Sequence, residues 1–293
     1  MHRIALIMLL VLSARAIHAA SYQKKDGTTV DPIQAATGGP LPYAGNNLEP
    51  NANLKHAVLS SAILIDADLT GADLISASLD SADLQSADLS TAELDKADFS
   101  DAILTGADLN TAYLDEAVME RSILSGATFN NAQMQQTNLR LADLTGAKLA
   151  YTDLTDAVLI EANLTDAYLY EAVLTAADLY GADLTRADFT GATLYETDLG
   201  NTKLTGAILS LANLSFVDFT GASSFSDATW TGAYYVTGDD PTWATGMDAA
   251  WRTSVGIVAR SSLDSGSPVP EPAALLLALL GLSLLPRRRR RSV

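Results

Sequence analysis

The sequence predicts an all-β solenoid, and three regularities support this. Every fifth position from Leu54 to Phe219 holds Leu, Phe or Met, which makes 34 consecutive positions. Glycine stands two residues after the large residue in eight of these repeats. Two residues before it stands a small residue, Ala at 28 of the 34 positions, the exceptions being Ser122, Thr137, Thr152, Thr197, Thr202 and Val217. Tandem repetition of this kind is typical of a chain that coils upon itself.

A period of five fits neither an α-helix nor a straight strand. Five residues advance a helix by about 500°, so the large side chains would scatter around its axis. In a straight strand an odd period sends successive large side chains to opposite faces. The pattern is buried on one side if the chain turns a corner every five residues. In one such unit Ala142 and Leu144 point inward, Asp143 and Thr145 point outward, and Gly146 occupies the corner.

Corner glycines recur at intervals of 20 residues, which predicts a coil with four sides. Three edges of such a coil carry glycines: Gly106, Gly126, Gly146 and Gly206 on one, Gly71 and Gly191 on the second, Gly181 and Gly221 on the third. The fourth edge, which runs from His56 to Phe216, has none. With strands about 4.8 Å apart, residues 51–221 make about 8.5 coils and a rod about 40 Å long.

Units such as Ala67–Gly71 (ADLTG) and Ala182–Arg186 (ADLTR) resemble those of pentapeptide-repeat proteins. The resemblance covers residues 51–221 and is specific because of its length. It implies a right-handed quadrilateral β-helix with a Leu and Phe interior and no lumen. Burial of each central side chain contributes roughly 1.5–3 kcal/mol. Because each coil contacts only its neighbours, stability is expected to add coil by coil.

Residues 1–20 have the pattern of a secretory signal peptide. An apolar run from Ile4 to Leu12 follows the basic start and precedes several small residues. Cleavage is expected after Ala16, which ends an A-x-A pattern, or near Ala20. Residues 21–50 are polar and are expected to form a mobile leader and the start of the first coil.

Residues 222–260 are predicted to form an aromatic cap at the C-terminal end of the rod. Phe225, Trp230 and Tyr235 are five apart but displaced by one position from the register that ends at Phe219, and all three Trp lie in this segment. The cap would lay aromatic surface over the last coil. The alternative is an aromatic platform for a ligand.

A short helix is expected within the cap. Asp240 would be its N-cap and Pro241 its first residue. An apolar stripe would then follow at helical spacing, comprising Met247, Trp251, Val255 and Val258.

Residues 261–268 are predicted to be a flexible linker, and residues 269–293 carry three features in order. The motif Pro270, Glu271 and Pro272 precedes an apolar run, Ala273–Leu285, and the chain then ends in a basic stop made of Arg287, Arg288, Arg289, Arg290 and Arg291. The run has 13 residues, which is short against the roughly 17–25 of a membrane span. The arginines would hold it from the cytoplasmic side.

This end resembles a PEP-CTERM sorting signal. The resemblance implies a bacterial exporter with an exosortase system linked to exopolysaccharide. The apolar segment would anchor the chain transiently and be removed near Pro-Glu-Pro. Signal peptidase and exosortase are then the processing enzymes, and exopolysaccharide is a candidate partner. The alternative is a permanent tail anchor.

Composition argues against an enzyme. The chain has no Cys, which excludes thiol chemistry. Removal of residues 1–20 takes His2 and His18 and leaves His56 as the one remaining histidine. No Ser/His/Asp set, phosphate-binding glycine loop or metal-spaced histidine cluster occurs in the sequence. We therefore expect no catalytic residues, no cofactor and no metal site.

Charge is the remaining signal. Residues 51–221 hold 26 acidic and 7 basic side chains, and Asp68, Asp88 and Asp108 would stack on one face. Aspartates before the central Leu are expected mainly to accept hydrogen bonds from turn amides and to keep the rod soluble. Loose cation binding and DNA mimicry, which some pentapeptide-repeat proteins direct at topoisomerases, are the alternatives. The sign of the charge excludes nucleic-acid binding.

Five tyrosines form a weaker signal, namely Tyr151, Tyr168, Tyr170, Tyr180 and Tyr195. The first three should lie close together across two coils. Exposed rings stack on sugars or take part in ordinary cross-strand packing.

These patterns together predict an exported, non-enzymatic rod, structural or adhesive, at the bacterial cell surface or in the extracellular matrix. The alternative function is an acidic DNA mimic that binds DNA gyrase. The export signals discriminate between the two, because gyrase is cytoplasmic. Ligand, physiological role and oligomeric state are left open.

Overall fold

The computed structural model describes residues 21–26, 28–30, 34–35 and 47–261. Most of them form one four-sided coil. The residue before each central side chain pairs in parallel with its equivalent 20 positions later, from Asn53–Asp73 to Lys203–Ser223. Successive pairs begin five residues apart, so four sides complete each turn. The predicted period of 20 residues is confirmed.

The interior of the coil is filled by the two predicted registers. Every large side chain from Leu54 to Phe219 at the five-residue spacing is at most 2% exposed. From Ala57 onward, the small residue two positions earlier is buried as well. The hydrophobic core is therefore a continuous column along the coil axis.

Five of the six exceptions to the Ala register carry a hydroxyl group, and each is fully buried. Thr137, Thr152 and Thr197 donate to carbonyls 23 residues earlier, and Ser122 and Thr202 donate to carbonyls three residues earlier. Within the described residues no buried side-chain nitrogen or oxygen lacks a partner. These polar residues are tolerated inside the column because their hydroxyls are satisfied.

Every corner from Asn51 to Gly221 has a positive φ, whether or not its residue is glycine. At one corner Ala147 N donates to Leu144 O at 2.9 Å across Gly146, whose φ is 64°. A four-residue turn with a positive φ at its third residue is of type II, which favours glycine there. Non-glycine corners, including Tyr151 and Phe216, adopt the same conformation. The sequence located the corners, but glycine marks only a minority of them.

Part of residues 21–50 departs from the expectation of a mobile leader. A hairpin of β1 (Tyr22–Gln23) and β2 (Thr29–Val30) lies against the first coil, and β3 (Gln34–Ala35) pairs antiparallel with β4 (Ala62–Ile63). The Tyr22 ring is buried in the core. The hairpin is joined to the first coil by backbone hydrogen bonds, and in one of them Asp68 N donates to Gln23 O at 2.7 Å. These contacts hold the described residues of this segment on the first coil, because they satisfy an open edge of the coil.

The coil continues beyond residue 221 with two insertions. Ile208 pairs with Thr229, Asn213 with Tyr234 and Asp218 with Thr242, which are 21, 21 and 24 residues apart. A short 3-10 helix, Phe225–Asp227, lies within the first insertion. The extra residue explains the slip by one position seen in the sequence, and it places Trp230 at the centre of the coil, where it is 1% exposed.

Helix α1 spans Ala249–Val255, and strand β6 (Val258–Arg260) then pairs in parallel with β5 (Tyr234–Val236). The predicted helix start was wrong. Thr242 N donates to Val217 O at 2.8 Å, and Thr242 O accepts from Phe219 N at 2.7 Å. The segment after Pro241 is therefore extended, because it completes the last coil.

Asp248, not Asp240, caps the helix: its side chain accepts a hydrogen bond from Trp251 N at 2.8 Å. Met247, Trp251 and Val255 pack on the core as the predicted stripe requires. Val258 is 47% exposed in β6 and does not belong to that stripe.

Candidate functional site

The residues of the predicted sorting signal lie outside the described part of the chain. These are Pro270, Glu271 and Pro272 and the basic stop Arg287, Arg288, Arg289, Arg290 and Arg291. The predicted signal peptide, residues 1–20, lies outside it as well. Within the described ranges, the chain has no helix with the length and apolar character needed to cross a bilayer. The candidate site that the structure describes is therefore the outer surface of the coil.

The predicted acidic stack is present. Asp68, Asp88 and Asp108 pair successively on one face. Asp88 Oδ1 accepts the backbone N–H of Ser90 at 3.0 Å, and Asp108 Oδ1 accepts that of Asn110 at 3.0 Å. Each carboxylate thus stabilises the turn that follows it.

The same hydrogen bond recurs along the rod. An outward Asp or Asn accepts the N–H two residues later at many corners, with acceptors that include Asp83, Asp98, Asn138, Asp143, Asp153, Asn163, Asp178, Asp183, Asp188, Asp198, Asn213 and Asp218. This geometry is that of an Asx turn. It supports turn stabilisation as the main role of these residues. Among the residues described, no cluster of three or more His, Cys, Asp or Glu side chains is arranged to hold a metal ion.

Cations on the surface pair with carboxylates one coil away. Arg121 binds Asp101 through two contacts of 2.8 Å, and Arg186 binds Asp166 through two contacts of 2.6 Å. Hydrogen bonding to Arg121 lowers the pKa of Asp101. All four side chains are about half exposed, so each pair contributes little to stability.

A second acidic stack lies on another face, where Asp178, Asp198 and Asp218 are paired in register. Burial raises the pKa of Asp198, and the charges of Asp178 and Asp218 raise it further. The neighbouring carboxylates therefore repel one another at neutral pH.

Tyr151, Tyr168 and Tyr170 lie together as predicted. The rings of Tyr168 and Tyr170 are 6.0 Å apart and nearly parallel, and the Tyr151 ring meets Tyr170 edge-on at 5.6 Å. Hydrogen bonding to Glu171 raises the pKa of Tyr170 to about 12. We name the three tyrosines the Tyr patch.

The other two tyrosines lie on separate edges of the coil. Tyr180 contacts Asn201 through its hydroxyl group. Tyr195 meets Phe216 edge-on at 5.5 Å. Phe216 was not singled out in the sequence, although its separation of 21 residues from Tyr195 places the two side by side in a 20-residue coil.

The C-terminal aromatic residues pack on one another and on Phe219. Trp230 meets Phe219 edge-on at 5.7 Å, and Trp243 stacks on Phe219 at 5.5 Å. Trp251 covers Trp230 at 5.6 Å, and the Arg252 guanidinium lies 4.6 Å from the centre of the Trp243 ring. These rings face the core. An open aromatic platform for a ligand is therefore not present at Trp230.

Several solved structures are similar to this chain. HetL, a pentapeptide repeat protein involved in heterocyst differentiation regulation from the cyanobacterium Nostoc sp. strain PCC 7120, is 33% identical, with coverage of 63% of this chain and 89% of HetL and a TM-score of 0.30. QnrB1, a plasmid-mediated fluoroquinolone resistance protein, is 16% identical, with coverage of 73% and 99% and a TM-score of 0.40. A pentapeptide repeat protein from the Arabidopsis thaliana thylakoid lumen is 25% identical, with coverage of 37% and 66% and a TM-score of 0.17.

None of the curated proteins matches the chain. The family model for pentapeptide repeats matches it in eight copies between residue 52 and residue 223. That family is generally non-enzymatic, and its fold is a right-handed quadrilateral β-helix. The five-residue register, the four-sided coil and the family model agree: the chain belongs to the pentapeptide-repeat family.

Proposed function

We propose that this protein is an exported, non-enzymatic rod that serves as a structural or adhesive component of the bacterial cell surface or extracellular matrix. The order of features along the sequence carries the proposal: a signal peptide, a rigid rod, a linker, and a PEP-CTERM-like end with Pro270, Glu271 and Pro272 before a short apolar run. An exosortase would cut near this motif and release the rod. Exopolysaccharide is the matrix component that we propose as its partner.

The architecture of the rod suits such a role. Its interior is filled with buried side chains, so the outer faces of the coil are left for contacts. Each coil is bonded to the next through regularly spaced backbone hydrogen bonds, such as Leu144 N to Asn163 O at 2.7 Å. A secreted chain without disulfides depends on packing of this kind for its stability.

Fractionation of producing cells, with the mass of the mature protein, tests the proposal. We expect a protein that lacks roughly the last twenty residues and is recovered outside the inner membrane. Replacement of Pro270, Glu271 and Pro272 by Ala should trap the full-length form in the membrane. Pro268→Ala, two residues before the motif, is the matched control and should be processed normally. A native protein that keeps its arginine tail in the inner membrane would contradict the proposal and indicate a permanently tethered periplasmic rod.

A second candidate is an acidic DNA mimic that binds DNA gyrase. The stacked carboxylates of Asp178, Asp198 and Asp218 favour it, because they repeat negative charge along one face. Their hydrogen bonds to turn amides weigh against it, since those bonds give the same carboxylates a structural role. Purified mature protein is expected not to inhibit gyrase supercoiling at micromolar concentration. Potent inhibition would favour the DNA mimic over the matrix rod.

A further inference from the structure

The Tyr patch is an exposed aromatic surface that the coil does not need for its core. Tyr168 is on an outward strand position and is 42% exposed, and Tyr151 is on an outward corner and is 51% exposed. Outward positions elsewhere on the rod are mostly polar. A contiguous exposed apolar patch on a protein surface is often functional.

The patch is held rigidly. Tyr168 N donates to Ala147 O at 2.9 Å, and Tyr168 O accepts from Leu149 N at 2.7 Å. Tyr151 N donates to Tyr170 O at 2.9 Å, which links two of the three tyrosines through their backbones. The backbone under the patch is fixed and the rings pack on one another, so binding of a ligand would order few additional groups.

The size of the patch favours a small repeating ligand over a folded protein. A fully covered aromatic side chain buries about 150–250 Å². Tyr151 and Tyr168 are about half exposed and Tyr170 less so. The exposed surface of the three rings is therefore roughly 200–300 Å², well below the roughly 800 Å² that each partner contributes to a stable protein interface.

The surroundings favour a neutral ligand rich in hydroxyl groups. Lys148 and Asp188 are the ladder partners of Tyr168 in the coils before and after it. The Glu171 side chain is hydrogen-bonded to that of Tyr170. This one cation and these two carboxylates provide hydrogen-bond donors and acceptors beside the rings, and their net charge is slightly negative. A polyanion, whether nucleic acid or acidic polysaccharide, would be repelled by this arrangement and by the acidic rod.

We propose that the Tyr patch binds a neutral polysaccharide, with sugar rings stacked on Tyr151 and Tyr168. The C–H groups on one face of a pyranose ring are weakly positive and match the negative face of an aromatic ring. The sugar hydroxyls would reach Lys148, Asp188 and Glu171. This inference rests on the proposed function, because an extracellular polysaccharide is accessible only to an exported protein.

Affinity electrophoresis tests this inference. The full chain, in a detergent whose headgroup is not a sugar, is run in native gels that contain hydroxyethylcellulose, galactomannan or dextran, and in a gel without polysaccharide. We expect at least one polysaccharide to retard the protein. The double variant Tyr151→Asn/Tyr168→Thr should bind about tenfold more weakly. Both replacements suit the local backbone, since Asn tolerates the positive φ of the corner and Thr suits a strand.

Two controls make the test specific. Tyr151→Phe/Tyr168→Phe keeps the ring faces and should keep the retardation. Tyr180→Ala removes an exposed tyrosine on another edge and should also leave it unchanged. The inference is overturned if no polysaccharide retards the parent chain, if the Asn/Thr variant binds as well as the parent, or if Tyr180→Ala weakens binding equally. A negative gel result leaves the fractionation result intact, because binding and location are measured separately.

Discussion

The hydroxyl of Thr137 donates a hydrogen bond of 2.9 Å to the carbonyl of Leu114, one coil earlier and in the interior of the rod. Thr152 and Thr197 make the same contact with carbonyls 23 residues before them. At the equivalent position most repeats have Ala. The position that most repeats fill with Ala therefore requires a small inward residue. A residue with a hydroxyl group is tolerated there when the hydroxyl donates to a backbone carbonyl.

Replacement of Thr137 by Val should therefore destabilise the rod. Val keeps the shape of Thr but removes the donor to Leu114, so we expect the free energy of unfolding to fall by about 1 kcal/mol. Urea denaturation measures this change. Thr193→Val, on an outward strand position, is the control and should stay within about 0.5 kcal/mol of the parent. An equal effect of the two substitutions would show that the buried hydrogen bond is not the cause.

A pair of leucines three residues apart tests the solid core. Leu144 is central and fully buried, whereas Leu141 is on a corner with a positive φ and is 37% exposed. Leu144→Asp buries a carboxyl group without a partner and removes a large apolar side chain, so it should cost about 5 kcal/mol or more. Leu141→Asp should change stability by no more than about 0.5 kcal/mol, because Asp tolerates a positive φ. Unchanged melting of the Leu144 variant would exclude a filled interior.

The sequence predicted the coil well because its period has one structural solution. A large side chain at every fifth position is buried only if the chain turns at every fifth position. The conformation of the corners was not predictable from residue type, because Tyr151 and Phe216 adopt the same positive φ as glycine. Backbone hydrogen bonds between coils impose this turn on whatever residue is present.

The two ends were harder to predict than the repeats. Asp240-Pro241 has the local pattern of a helix start, but the last coil takes the following residue, Thr242, into its ladder. Similarly, residues 21–50 are polar in sequence, yet Tyr22 inserts its ring into the core of the first coil. Tertiary pairing outweighed local preference at both ends. The surface site was partly predictable, because the coil period already places Tyr151, Tyr168 and Tyr170 together.

Acid should destabilise the rod. Six of its aspartates have a carboxyl pKa below the ordinary value of 3.8, namely Asp80, Asp101, Asp143, Asp153, Asp166 and Asp183. In three of them, Asp143, Asp153 and Asp183, burial raises the pKa but hydrogen bonds outweigh it. In Asp80, Asp101 and Asp166, hydrogen bonds to the carboxylate are the largest cause.

The sign of the effect follows from these lowered pKa values. The unfolded chain binds protons at a higher pH than the folded chain, so the stability from these groups is present above 3.8 and is lost as the pH falls through the folded values. We expect the urea midpoint to be steady above about pH 5 and to fall progressively below about pH 4. A midpoint that rises on acidification would show that repulsion within the acidic stacks dominates instead.

Ionisation of Asp198 should destabilise the fold, whereas ionisation of Asp166 should stabilise it. Burial and the neighbouring charges raise the pKa of Asp198, so its ionised form opposes folding as the pH rises through the folded pKa. Asp198→Asn keeps an acceptor for the Gly200 amide, which lies at 2.7 Å, and should raise the urea midpoint at pH 7. The matched change Asp166→Asn removes the negative charge and one of the two acceptor oxygens that face Arg186, so it should not raise the midpoint. A lower midpoint for Asp198→Asn would contradict repulsion along this stack.

We expect residues 222–260 to cap the rod and to keep it from associating end to end. Their removal would free the backbone groups that now pair with them, such as Leu209 N with Thr229 O at 2.7 Å, and would uncover the Phe219 ring. An open coil edge is a template for another chain. Sedimentation of the deletion variant should therefore show association that increases with concentration, relative to the parent chain in the same detergent.

Association of the deletion variant could arise from the unpaired backbone groups of the last coil or from its exposed aromatic surface, and Trp230→Ala separates these two causes. It should lower stability by about 3–5 kcal/mol, because a large buried ring is lost. The backbone pairs of the last coil are retained, since the contact of Leu209 N is with the neighbouring Thr229 carbonyl and not with the ring. We therefore expect Trp230→Ala to sediment like the parent while the deletion variant associates. If both variants associate equally, exposed aromatic surface is the cause. If neither does, residues 222–260 do not protect the end of the coil.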